Sequence, residues 1–140
     1  MNLIVSEGDL CDLVFNGFEL SANDAPTIED LGCTLSLRTY PVSLHANPPQ
    51  FWKNLKEEFR LLVCTNDKKY KSLRKQLGSN AGRSQTVIVS TISAAMAHSI
   101  GVTAGVLVPF CALCLLALAR LGKEAFCDCA DLKVPVRPQT

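Results

Sequence analysis

Cys111-x-x-Cys114 and Cys127-x-Cys129 place four thiols in the last third of this chain. Four thiolates would complete the tetrahedral shell of a structural zinc ion. Their spacing argues against it, because a metal knuckle turns on glycine or polar residues, whereas "FCALCLLALA" is continuous apolar sequence of helical character. Two cysteines three apart do share a helix face, so Cys111, Cys114, Cys127 and Cys129 are the candidate ligand set, but neither a metal nor another cofactor is expected. A thioredoxin-type pair needs its C-x-x-C at a helix N-terminus after a strand, and "GVLVPF" only faintly supplies one. Cys127 and Cys129, beside Lys123, suit acylation if the chain lies at a membrane. With Cys11, Cys33 and Cys64 the cysteines number seven. "MNLIV" lacks a positive n-region and Glu7 ends its apolar run, so neither a secretory signal nor a disulfide framework is expected. The cysteines read as small buried hydrophobes with a few accessible thiols.

Other chemistry has less to work with. His45 and His98 are the only histidines, and neither lies in a nucleophile motif. "GSNAGRS" lacks the lysine and strand context of a phosphate-cradling loop. Glu57 and Glu58 read as solvated partners of Lys53 and Arg60. An enzyme is therefore not the expectation. Lys68, Lys69, Lys71, Arg74, Lys75 and Arg83 follow one another with no acid among them and form a candidate anionic-surface site. Nucleic-acid phosphates and anionic lipid headgroups would both attract it. Lipid is favoured, because an apolar tract begins immediately downstream.

The elements that must position these residues follow from pattern. A net charge of +1 conceals three blocks. Glu7, Asp9, Asp12, Glu19, Asp24, Glu29 and Asp30 all precede the first base, Arg38; the basic run comes next, and then the uncharged tract. Residues 1–46 form an acidic region, in which 1–32 read equally well as short strands or as one short helix. Within it "CTLSLRTYPVSLH" alternates apolar and polar residues, slips near Arg38-Thr39 in the manner of a bulge, and carries Pro41 as an edge strand would. Residues 47–78 form an amphipathic helical pair. The first helix starts at Asn47 and the prolines and has a stripe of Phe51, Leu55, Phe59 and Leu62, with Lys53, Lys56, Glu57 and Arg60 on its other faces. In the second, Asn66 or Asp67 is the cap, Tyr70, Leu73 and Leu77 form the stripe, and Gly78 is the stop. Residues 79–85 read as a linker, 86–121 as a hydrophobic helical tract and 122–140 as a cysteine-containing tail.

A bilayer core about 30 Å thick takes about 20 helical residues, so the tract is too long for one untilted span and too short for two. Gly101, Gly105 and Pro109 mark where it should bend. It could cross once, from about Gly101 to Leu121, enter as a hairpin with both basic flanks on one side, or be buried in a soluble fold. Ser93, Ala97, Gly101 and Gly105 lie four apart and form a candidate ridge for helix packing or self-association.

The expected architecture is mainly α: two amphipathic helices plus a C-terminal hydrophobic hairpin or single span, with a small N-terminal region containing short strands. The expected function is that of a non-enzymatic, membrane-associated interaction protein with a cytoplasmic N-terminal region, acting as an anchor or a self-associating, membrane-perturbing effector. Its partners would be the lipid bilayer, a protein subunit or further copies of itself, with nucleic acid disfavoured. The alternative is a cytoplasmic helical subunit of a larger complex, its apolar hairpin buried in its own fold or against other subunits.

Overall fold

The computed structural model describes residues 27–39, 48–79, 84–128 and Leu132. In chain order these contain α1 (Ile28–Thr39), α2 (Pro48–Cys64), a 3-10 turn (Lys68–Tyr70), α3 (Lys71–Ser79), α4 (Gln85–Ile100), α5 (Ala104–Leu121) and α6 (Lys123–Asp128). The protein is mainly α, and no strand occurs among the described residues. The short strands expected in 1–26 and 40–46 fall outside them.

Cys33 to Thr39, read above as the start of an alternating strand, belongs instead to α1. Two local causes outweigh the alternation. Thr27 and Asp30 form a reciprocal capping box: Asp30 N–H donates to Thr27 Oγ1 at 3.1 Å and Thr27 N–H donates to Asp30 Oδ2 at 3.3 Å. Ile28, Leu31 and Leu35 then recur at helical spacing, and all three are buried. Gly32 and Ser36 lie on the same buried face, where Gly32 lets α1 approach the Trp52 ring of α2.

In α2 the expected stripe of Phe51, Leu55, Phe59 and Leu62 is buried, and Trp52 joins it. Pro48 begins the helix, where its missing N–H costs nothing and its fixed φ is helical. Asp67 caps the following turn by accepting from Lys69 N–H at 2.9 Å, and Tyr70, Leu73 and Leu77 face inward as their spacing predicts.

The uncharged tract is a helical hairpin. Ser84 caps α4, accepting from Val87 N–H at 3.3 Å. Gly101 ends that helix in the left-handed region, with φ +86° and ψ +31°, and Val102 N–H closes back onto the Ala97 carbonyl at 3.3 Å. Of the three bend markers, only Gly101 makes the turn. Gly105 and Pro109 lie within α5, and the carbonyl that Pro109 leaves without a helical donor belongs to exposed Gly105.

The core is assembled around α5. Phe110, Cys111, Ala112, Leu113, Cys114, Leu115, Leu116 and Ala117 all have 0% exposure, so every face of that stretch is covered. Helices α1, α2, α4 and α6 all pack against α5, α1 also lies on α2, and α3 lies on α4. A helix apolar all round needs such cover or lipid. Phe110 meets Phe51 edge-on at 5.1 Å between ring centroids and Trp52 at 6.1 Å.

Candidate functional site

Two clusters of polar or reactive side chains are organised around the end of α2. The first is a clasp on the C-terminal part of the chain. Cys64, the last residue of α2, is disulfide-bonded to Cys127 in α6, with a Cα–Cα distance of 5.8 Å. Beside it Phe126 is fully buried against Phe59, at 5.6 Å between centroids, and the Arg60 guanidinium lies 5.9 Å from the Phe126 ring centre. Glu29 holds Leu132 twice: its N–H donates to the Leu132 carbonyl at 2.8 Å, and its Oε2 accepts from Leu132 N–H at 2.9 Å. Its other oxygen accepts from Lys56 Nζ at 2.6 Å. Lys56, read from sequence as an outward-facing residue, is only 4% exposed, with its ammonium 5.5 Å from the Trp52 ring centre. Carboxylate and indole together offset the loss of water that burial imposes on this charge.

The second cluster is a cleft of about 560 Å³ between α2 and the end of α4, lined by Asn54, Glu57, Glu58, Arg60, Leu61, Thr65, Ser99 and Ile100. Glu58 is not paired as the sequence suggested. One oxygen accepts from Lys69 Nζ and the other from the Tyr70 hydroxyl, each at 2.6 Å. Burial, and then the bond to Glu58, push the Tyr70 phenol well above its ordinary pKa, with Ser99 opposing. The phenol is therefore held protonated as a donor, and Glu58 serves as its acceptor.

The basic run is divided by the fold. Arg74 turns back onto α2: Nε donates to the Leu62 carbonyl at 2.8 Å, Nη2 to that of Leu61 at 2.6 Å and Nη1 to that of Asp67 at 2.8 Å. It thereby satisfies the Leu62 carbonyl at the end of α2, adds to the Thr65 hydroxyl already bonded to that of Leu61 at 2.7 Å, and puts a cation at the negative end of the helix. Lys69 is committed to Glu58. Lys68, Lys71 and Lys75 are exposed, and Arg83 lies outside the described residues.

The small-residue ridge is divided as well. Ser93 and Ala97 are buried in this chain's own core, Gly101 forms the turn, and Gly105 is exposed at the start of α5, so the four do not share one outer face.

The cysteines are equally dispersed. Burial raises the Cys111 thiol to about 12, with the Ser93 side chain as the opposing influence, although Ser93 Oγ meets no partner at hydrogen-bond geometry. Burial and then the neighbouring Cys111 push Cys114 up too. Both stay protonated, which removes them as ready nucleophiles or ligands. Cys127 is in the disulfide, so its sulfur is not available for acylation while the bridge stands. Cys129 lies outside the described residues. Among the described residues no three His, Cys, Asp or Glu side chains gather as a metal shell.

Sequence reading missed the Thr27/Asp30 box, although "TIED" carries its signature, and it missed the Arg74 cap, the Glu29–Lys56 pair and the Cys64–Cys127 bridge. The last three join groups far apart in the chain and have no local signal. No protein family, no curated protein and no solved structure matches the chain.

Proposed function

We propose that this chain is a non-enzymatic interaction protein of the helical-subunit kind, with its apolar hairpin folded into its own core and its outer helices turned to a partner. One observation carries this reading: every residue from Phe110 to Ala117 is fully buried within the chain, on a helix against which α1, α2, α4 and α6 pack. A span facing lipid would need no such cover. The partner-facing surface includes the exposed lysines Lys68, Lys71 and Lys75 and the uncharged outer stripe of α4, Thr86, Ser90 and Ala94.

A membrane-associated role, as anchor or membrane-perturbing effector, is the second reading. It is favoured by α5 itself, whose 18 residues are long and apolar enough to cross a bilayer. Insertion would require α1, α2 and α6 to lift away, with lipid replacing the buried contacts. Fractionation of the expressed protein after a high-salt and alkaline wash tests the choice. A monodisperse soluble species is the expected result, and retention in the washed membrane pellet would overturn the first reading in favour of the second.

A further inference from the structure

We infer that the Cys64–Cys127 bridge is a reducible latch, whose opening releases α6 from the end of α2 while the core built on α1, α2, α4 and α5 stays folded. Three observations carry this. Both bridged cysteines are only half-buried, so a reductant can approach them, whereas Cys111 and Cys114 are fully enclosed. Of the six residues of α6, only Phe126 is buried, and its ring contacts on α2 are Phe59 and the Arg60 guanidinium. A helix this short has almost no stability of its own, so it persists only while something tethers it, and the Glu29–Leu132 bonds beyond it hold the chain after α6 rather than α6 itself. The main core, by contrast, is held by α5 and the aromatic contacts of Phe51 and Trp52, none of which involves the bridge.

The chemistry balances with a dithiol as reductant. One thiolate of the dithiol attacks a bridge sulfur, breaking the S–S bond and forming a mixed disulfide, while the other protein sulfur leaves as a thiolate and is protonated. The second thiol of the reductant then closes on the mixed disulfide. Two protein thiols and one oxidised, cyclic reductant result, and the protons gained by the protein equal those lost by the dithiol. Release bares Phe126 and the Phe59 edge beside the end of α5, an apolar surface present only in the reduced state. This device operates whether the outer helices meet a protein or a bilayer.

Amide hydrogen exchange of the full chain, purified without reductant and then treated with dithiothreitol, tests it. Before treatment, a digest without reductant should contain one peptide pair joined through Cys64 and Cys127. After treatment, protection at residues 123–128 should fall by about tenfold or more and approach that of an unfolded chain, while 110–117 stay protected at a level lowered only by the chain entropy that the bridge no longer constrains. The Cys127→Ser variant should show the reduced pattern without dithiothreitol. Absence of the joined peptides, unchanged protection at 123–128, or collapse of protection throughout the core on reduction would each overturn the latch. If the variant alone fails to fold, the dithiothreitol comparison on the natural sequence still decides.

Discussion

At Gly32 a side chain has nowhere to go, because a Cβ built there runs into the six-membered ring of Trp52, itself only 1% exposed. Neither partner can give way cheaply: the ring is wedged against Phe110, and Gly32 is fixed within α1. Gly32→Ala should lower stability by about 1–3 kcal/mol, read as a reduced urea midpoint. Combined with Trp52→Leu, the loss should be smaller than the sum of the two single changes, because the second substitution removes the obstacle to the first. The buried thiols set a second expectation. Cys111 keeps its proton in the fold up to about 12, whereas in the unfolded chain it loses it near 9. The folded state therefore binds the proton more tightly, and stability is complete below about pH 9 and falls as pH rises toward 12. Urea midpoints measured from pH 7 to 11 should show this decline, and Cys111→Ala with Cys114→Ala should remove the part that begins near pH 9, leaving the decline above about pH 10 to which the raised Tyr70 phenol contributes. Neither thiol should be alkylated at pH 8 until the protein is unfolded.

At the scale of elements, the end of α2 is held by a residue from the next helix. Arg74→Ala removes three donors from carbonyls at and just beyond that end and should cost about 1–3 kcal/mol, with fraying of residues 61–64 visible in amide exchange. Arg74→Lys, which retains the charge but not the fork, should recover only part of it. Elements were legible where their signal is local. The stripes of α2 and α3, the Asp67 cap and the two-helix nature of the tract all rest on spacing within a few residues, and the fold realises each of them. The exception is α1. In "CTLSLRT" the alternation of Leu35 and Leu37 with small polar residues is a genuine period-two pattern, but it begins downstream of a helix already started by the Thr27/Asp30 box. The helical face of Ile28, Leu31 and Leu35 has the buried neighbours that a strand in that place would lack.

At the scale of the whole molecule, α5 is the axis on which the other helices depend. Leu115→Ala should reduce stability in aqueous solution by about 2–5 kcal/mol, because the surrounding helices cannot close fully on the space left behind. A leucine facing lipid would give no such change in a urea transition. Removing the Cys64–Cys127 bridge, which closes 63 residues, frees about 4 kcal/mol of chain entropy in the unfolded state, so the urea midpoint of the whole protein should fall on reduction even though α6 alone is released from the fold.

The sequence by itself determined that the protein is mainly α, that its last apolar tract must be interrupted near Gly101, Gly105 and Pro109, and which faces of α2 and α3 turn inward. Helical periodicity, capping and the left-handed tolerance of Gly101 act over a few residues, so they can be read from a linear string. Only the tertiary structure decided what covers α5, that Lys56 is buried between Glu29 and Trp52, that Arg74 closes α2 rather than facing solvent, and that Cys127 is bridged to Cys64. Each of those outcomes brings together residues from separate helices. Their energies depend on geometry that exists only after the chain has packed, and no spacing along it encodes them.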